Sequence, residues 1–159
     1  MIALVQRVTE AQVTVDAEIV GAIDAGLLIL LGVHETDTED ESEWLAGKCA
    51  RLRIFRDDDG RMNRSLVEAG GDALVVSQFT LYGDASKGNR PSYIESARPE
   101  TAEPLYRHFM ASLARHLGKD VASGRFGAMM SVRLENDGPV TLILERSAAR
   151  VGSPESRPL

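Results

Sequence analysis

"GLLILLGV", residues Gly26–Val33, is a nearly continuous apolar run bounded by Gly26 and Gly32. A strand covered on both faces reads this way, because neither face needs polar side chains, although period alone leaves a short core helix open. Upstream, "MIALVQRVTEAQVTVDAEIVGAIDAG" consists of short alternating runs. These predict strands over Ile2–Val8, Gln12–Val15 and Ile19–Ile23, with Asp16-Ala17-Glu18 as a tight turn between the last two. Downstream the period changes at Thr38. Trp44, Leu45, Cys49, Leu52 and Phe55 share one side of a helix, and Glu39, Asp40 and Glu41 lie in its first turn, where carboxylates oppose the free amide dipoles favourably.

"RDDDGRMN" (56–63) reads as a loop and "DALVVSQF" (72–79) as another apolar strand. The stretch Tyr82–Pro99, with Gly83, Gly88, Pro91 and Pro99, is an irregular loop of functional length. Thr101–Leu117 gives a second helix with Leu105, Tyr106, Phe109, Met110, Leu113 and Leu117 on its apolar face. "MSVRLENDGPVTLILE" (130–145) reads as two strands around a Gly-Pro turn. Many strands and two substantial helices predict a mixed α/β domain over residues 1–145, built on a curved sheet or β-barrel-like core with two main flanking helices. Residues 146–159 turn polar and gain small residues and prolines, so they are expected to form a flexible C-terminal tail.

Composition narrows the function. The apolar fraction is 43% and the charged fraction 26%, ordinary for a soluble globular domain. No run is long enough to cross a bilayer and no secretory leader is visible, so a cytoplasmic protein without a membrane partner is expected. The single Cys49 forbids an intramolecular disulfide and reads as core packing. With 24 acidic and 18 basic residues the net charge is −6, which argues against broad wrapping of nucleic-acid phosphates but leaves a local contact with an RNA end open.

Conventional catalytic equipment is absent. His34, His108 and His116 lack close metal-ligand spacing, and no HExxH, CxxC or GxSxG motif occurs. The acidic run Asp37–Glu43 and the triplet Asp57-Asp58-Asp59 read as solvated turns, not as a calcium loop. Neither a metal nor a cofactor is expected. Two segments remain. In "VSQFTLYGDASKGNRPSY", Ser77, Gln78, Phe79 and Thr80 stand where a buried strand emerges into the long loop, and Lys87 and Arg90 follow. They line a pocket, or they are strand-edge hydroxyls, a surface amide and a core ring. In "NDGPVT", Gly138 and Pro139 together expose main-chain carbonyls with little covering them, or they simply make a turn.

These segments resemble a known family. The chain is similar to D-aminoacyl-tRNA deacylases of the bacterial and eukaryotic cytosolic type through "MIALVQRVT" (1–9), "GLLILLGV", "SQFTL" (77–81), "GNRPSY" (88–93), "GRFGAMMSVRL" (124–134) and "NDGPVT" (136–141), which occur in the family's order. The resemblance implies a homodimer acting on the aminoacylated 3′ end of tRNA. It would hydrolyse the ester of D-aminoacyl-tRNA, releasing D-amino acid and tRNA, and would clear mischarged glycyl-tRNA. It further implies a cis Gly138-Pro139 that enters the partner's pocket and rejects L-aminoacyl esters. Gln78, Phe79 and Thr80 would be the catalytic segment, and Ser77, Met130, Gly138 and Pro139 would bind substrate. Arg7 would hold the inserted pair. Lys87 and Arg90, read from their charge alone, are possible tRNA contacts or pair with the many acids nearby. Thr80 has no base nearby in sequence, so positioning fits it better than nucleophilic attack. A noncatalytic dimeric RNA-end-binding module and a general small-ester hydrolase remain as alternatives.

Overall fold

In the structure, a computed structural model that describes residues 1–147, the glycine-bounded run lies inside a six-stranded sheet. Strand β1 (Ile2–Val15) is one continuous strand where two were expected. Its first half pairs with β3 (Gly26–Gly32) and its second half with β2 (Glu18–Ile23), so β1 runs through a corner of the sheet. The polar residues Thr9 and Glu10, which break the sequence alternation, lie between those halves and are exposed. Asp16 and Ala17 have φ of 49° and 66°, the doubly left-handed pattern of a two-residue hairpin turn.

Helix α1 (Glu39–Arg51) follows, then a small two-stranded ribbon of β4 (Phe55–Arg56) and β5 (Met62–Arg64). The short α2 (Leu66–Ala69) leads into β6 (Asp72–Ser77), which pairs parallel to β3. A 3-10 turn (Phe79–Tyr82), α3 (Pro99–Leu117), β7 (Ala122–Ser123) and β8 (Ser131–Glu145) complete the chain. The order is β2-β1-β3-β6-β7, with β8 on the free side of β1. β7 returns against β2: a Cβ at Gly21 would stand 2.4 Å from the Ser123 carbonyl oxygen, so only glycine permits that approach. The sheet is therefore curved and nearly closed.

The curvature creates two apolar clusters, and β3 feeds both. Leu27, Ile29 and Leu31 face α1 and α3, while Leu28 joins Val8, Ala11, Val13, Ile23, Leu74 and Val76 inside the curve. That is why the run carries no polar alternation. On α1 the buried face is Leu45, Ala46, Cys49 and Ala50, packed with Leu105, Tyr106, Phe109 and Leu113 of α3. Trp44, expected on that face, is 41% exposed, and Phe55 falls beyond the helix in β4. The helix stops at Leu52, so Phe55 never shares its stripe, and residue 44 lies about 100° around the axis from Leu45.

The acidic run is not uniformly solvated. Thr38 caps α1 reciprocally with Glu41, donating to its carboxylate from the hydroxyl (2.7 Å) and the amide (2.9 Å). Burial pushes the Glu41 carboxyl up, but these hydrogen bonds outweigh it and hold the group below its ordinary range. Asp37 is buried: it pairs with the Met1 ammonium at 2.7 Å and accepts the His34 amide at 2.6 Å. The two later helix histidines are half-buried, and His108 Nδ1 lies 3.0 Å from the Ser42 hydroxyl. The tail expected over residues 146–159 lies, from residue 148 onward, outside the described residues.

Burial pushes the Cys49 thiol up to about 12. Native protein at pH 8 should therefore react with an aromatic disulfide reagent at least about a thousandfold more slowly than the urea-unfolded chain. Comparable rates would show that the α1–α3 interface opens readily. Among the described residues no helix is long and apolar enough to cross a membrane.

Candidate active site

Two segments leave regular structure with their backbones held firmly. The first continues from β6. The Gln78 amide donates to the Leu31 carbonyl at 2.8 Å, extending the parallel ladder one step before the chain turns into the 3-10 turn. A Cβ at Gly32 would lie 3.2 Å from both the Gln78 carbonyl oxygen and Leu81 Cβ, so the turn sits tightly on the end of β3. Ser77 and Gln78 are half-buried, while Thr80 is exposed and Phe79 is 58% exposed. The expected core alternative for Phe79 is thus not what the fold adopts. Its ring stands edge-on to Tyr93, with centroids 5.2 Å apart.

The Gln78 side-chain amide donates to the Thr80 hydroxyl. The partner of Thr80 is therefore a hydrogen-bond donor, with no proton-accepting side chain paired to the hydroxyl among the described residues. Beyond the turn, Asp84 and Ser92 exchange backbone hydrogen bonds of 2.8 Å each and pinch the loop into an excursion with Lys87 and Arg90 on it, both exposed. The Tyr82 phenol is shifted up by burial first, with Asp37, Glu145 and Glu95 adding to it. Tyr82 therefore stays a neutral donor.

The second segment interrupts β8. Gln6 faces Thr141 and Val8 faces Asn136, so the four residues Asp137–Val140 stand opposite Arg7 alone and loop out of the ladder. Instead of two strands around a turn, β8 lies against one long partner and carries a protrusion. Arg7 is only 3% exposed. Its Nε donates to the Asp137 carbonyl at 3.1 Å and lies 2.8 Å from the Asp137 carboxylate, while its Nη1 donates to the Ile54 carbonyl.

Asn136 closes the base of the loop. Its amide donates to the carbonyls of Arg7 (3.2 Å) and Val140 (3.0 Å), and its Oδ1 accepts from the Val140 amide (3.3 Å). Val140 is buried; Gly138 and Pro139, joined by a cis peptide bond, are exposed at the tip. Sequence reasoning passed over Asn136, although asparagine two residues before a glycine is a recognisable turn signal. The Ile54 carbonyl could not have been found from sequence, because 47 residues separate it from Arg7.

Met130 is half-buried and packs against the inner cluster, its sulfur 2.6 Å from where a Gly124 Cβ would sit. Arg7 is thus joined to the Gly138–Pro139 loop, and Gln78 to Thr80, but the two groups stay apart within one chain. Arg7 pairs with Leu27 and Leu27 with Ala73, which leaves the tip four residues short of Ser77 along the strands, about 13 Å, and three strand spacings away, about 14 Å. Roughly 20 Å of sheet therefore separates the motifs. No group of three or more His, Cys, Asp or Glu side chains able to hold a metal occurs among the described residues.

The sequence model of the family described as D-Tyr-tRNA(Tyr) deacylase matches residues 4–145. A D-aminoacyl-tRNA deacylase of Salinibacter ruber is 66% identical over 148 residues, covering 93% of this chain and 99% of that protein. One of Thermus aquaticus is 57% identical over 147 residues, covering 92% and 96%. Among solved structures, one titled c-Myc DNA Unwinding Element Binding Protein superposes with a TM-score of 0.87 at 40% identity, covering 93% of this chain and all of that one. A probable eukaryotic D-amino acid tRNA deacylase shares the fold at a TM-score of 0.79 and 19% identity, with 90% and 97% covered. Matched over nearly the whole described length, with both protruding motifs inside the matched span, the chain belongs to the D-aminoacyl-tRNA deacylase family of ester hydrolases.

Proposed function

We propose that this chain, as a homodimer in the cytoplasm, hydrolyses the ester joining a D-amino acid to the terminal adenosine of tRNA, releasing D-amino acid and tRNA, and clears glycyl-tRNA by the same route. The observation that carries the reading is the braced, exposed Gly138–Pro139 tip, separated by roughly 20 Å of sheet from Gln78–Thr80 of its own chain. Such a tip is useful at a pocket only if a second copy brings its own Gln78–Thr80 to it. The outer side of β8 supports this, because among the described residues β8 pairs only with β1 and leaves Ile143 69% exposed beside the half-exposed Leu142. A long unpaired edge with apolar side chains favours a partner.

Gln78, Phe79 and Thr80 would then receive the aminoacyl-adenosine, with Phe79 shaping the pocket and Ser77 and Met130 lining it. Lys87 and Arg90 would meet the RNA. Selectivity follows from shape. On one gripped ammonium-and-ester frame, the L and D side chains point in different directions, and rigid main chain at Gly138–Pro139 closes the L direction. An L ester must clash or leave a buried hydrogen bond unmade, which costs about 1–3 kcal/mol before the steric term is added. Glycine has no side chain to reject. The chemical step needs positioned water and backbone donors near the developing oxyanion, with the ribose 2′-hydroxyl available to relay a proton. Thr80, whose hydroxyl accepts from Gln78, orients substrate or water.

Matched D-, L- and glycyl-tRNA substrates test this. The D and glycyl esters should be cleaved at least about a hundredfold faster than the L ester. Equal loss of D and L would overturn the shape account. The exposed Lys87/Arg90 loop favours one second reading, a noncatalytic RNA-end-binding module, which retained binding without cleavage would select. Cleavage of simple esters lacking adenosine would select a general esterase instead.

A further inference from the structure

Helix α1 carries a second stripe that the core does not use. Trp44, Lys48 and Arg51 recur at helical spacing on its outer side and, with Leu52 and Arg53, line an open cavity of about 420 Å³. The Arg146 guanidinium stands 4.9 Å from the centre of the Trp44 ring and adds a fourth cation. Among the described residues, none of these four cations makes an ion pair. Arg64, Arg107, Arg115, Lys119 and Arg125 each lie within 4.0 Å of a carboxylate, while Arg56, Arg61, Lys87, Arg90, Arg98 and Arg133 do not, so what sets the four apart is that they gather around one exposed indole. Arg53 does donate to the Asn63 carbonyl at 2.8 Å and to the Asn63 side-chain oxygen, but among the described residues no carboxylate lies within ion-pair distance of it. In a chain of net charge −6, four converging cations without an ion-pair partner are a local inversion of the surface.

The plain account is that Lys48 and Arg51 complement the negative end of α1. It covers those two, and the hydrogen bonds to Asn63 tie Arg53 to β5, but Arg146 and the exposed indole between the cations are left out. The cavity also has a fixed relation to the tip. Arg53 immediately precedes Ile54, whose carbonyl is held by Arg7, and the same guanidinium holds Asp137 beneath Gly138–Pro139. One residue step and one arginine side chain place the cavity on the order of 10–15 Å from the tip.

We propose that the Trp44–Lys48–Arg51–Arg53 cavity, with Arg146, binds the phosphate backbone of the acceptor arm of the same tRNA whose 3′ end is hydrolysed. This rests on the function proposed above. In the dimer, the cavity serving a given ester belongs to the protomer that lends its Gly138–Pro139. It supplies affinity and leaves the chemical step alone, because phosphate contacts position a nucleic acid and act through its charge.

The test uses the full chain with Lys48→Gln and Arg51→Gln combined. Both side chains are exposed and, among the described residues, neither makes a side-chain hydrogen bond or ion pair, so the variant should melt within a few degrees of the parent, having lost only two charges at the negative end of α1. On D-aminoacyl-tRNA at low salt, KM should rise at least about tenfold with kcat unchanged, and the log–log salt dependence of 1/KM should become shallower by about 2. On a D-aminoacyl ester of adenosine, which has no phosphates, both constants should stay at parental values. An unchanged KM and salt slope would overturn the proposal, as would an equal loss on the adenosine ester, which would indicate a disturbed reaction site. If the parent cleaves neither ester, the functional reading fails, and the cavity is then judged on uncharged tRNA alone. Weaker, less salt-sensitive binding by the variant supports it, and identical binding sinks it. Loss of polyglutamate binding with tRNA binding intact would reassign the cavity to an acidic protein and overturn the proposal.

Discussion

Gly138→Ala should lower kcat/KM on D-aminoacyl-tRNA by at least about a hundredfold while leaving the melting temperature within a few degrees of the parent. A Cβ at residue 138 would lie 2.0 Å from the Val140 amide nitrogen and 2.8 Å from Asn136 Oδ1. Real side chains do not tolerate such contacts, and the nearer atom is main chain, so the loop itself must move. Movement would pull Val140 from its buried seat or break the Asn136 hydrogen bonds that close the loop. The tip is exposed, so global stability depends on it little. Under the proposed function catalysis would depend on it strongly, since an ångström of misplacement at a reacting frame is enough for a hundredfold loss. A variant with parental kcat/KM for the D ester and undiminished rejection of the L ester would remove Gly138–Pro139 from the mechanism. Gel filtration alongside would show whether the variant still assembles as the parent does.

The largest stability effect is expected at the other end of the sheet. Asp37→Ala should destabilise the fold by about 3–5 kcal/mol, because it leaves the buried Met1 ammonium without its counter-ion. For a domain of this size that is a fall of roughly 10 °C or more in Tm. The Met1 residue is fully buried and the Asp37 side chain is 1% exposed, so water cannot readily replace the carboxylate. The same carboxylate accepts the His34 amide, and the substitution orphans that donor as well. Asp37→Asn should fall between parent and alanine, since its carbonyl can still accept one of the two hydrogen bonds while the charge is lost. Equal melting temperatures for all three proteins would mean that the ammonium finds another partner or reaches solvent.

The parts of this fold that could be read in advance are those governed by local periodicity. Leu27–Leu31 announce a strand covered on both faces because every side chain in the run is apolar, and the structure buries one face on α1 and α3 and the other inside the curve. Leu105, Tyr106, Phe109 and Leu113 repeat at helical spacing and form one packed face. The errors have a shared origin. Thr9 and Glu10 look like a loop between two strands because they interrupt the alternation, yet they sit where one long strand exchanges partners. Trp44 looks like core because large aromatic residues usually are, but the helix presents it with Lys48 and Arg51 on the solvent side. Asp37 reads as part of a solvated acidic run because nothing nearby in sequence reveals an ammonium 36 residues away.

By itself the sequence determined the principal strands, the two main helices and the two segments, Ser77–Thr80 and Asn136–Thr141, that the proposed function uses. These depend on side-chain chemistry and spacing along the chain. Only the tertiary structure decided that Arg7, Asn136 and Ile54 form one brace beneath Gly138–Pro139, that the tip stands far from Gln78–Thr80 of its own chain, and that four cations converge beside Trp44. Those facts follow from which strands pair and where the ladder slips. Register is a cooperative property of the packed sheet, set by contacts between residues more than a hundred positions apart in sequence.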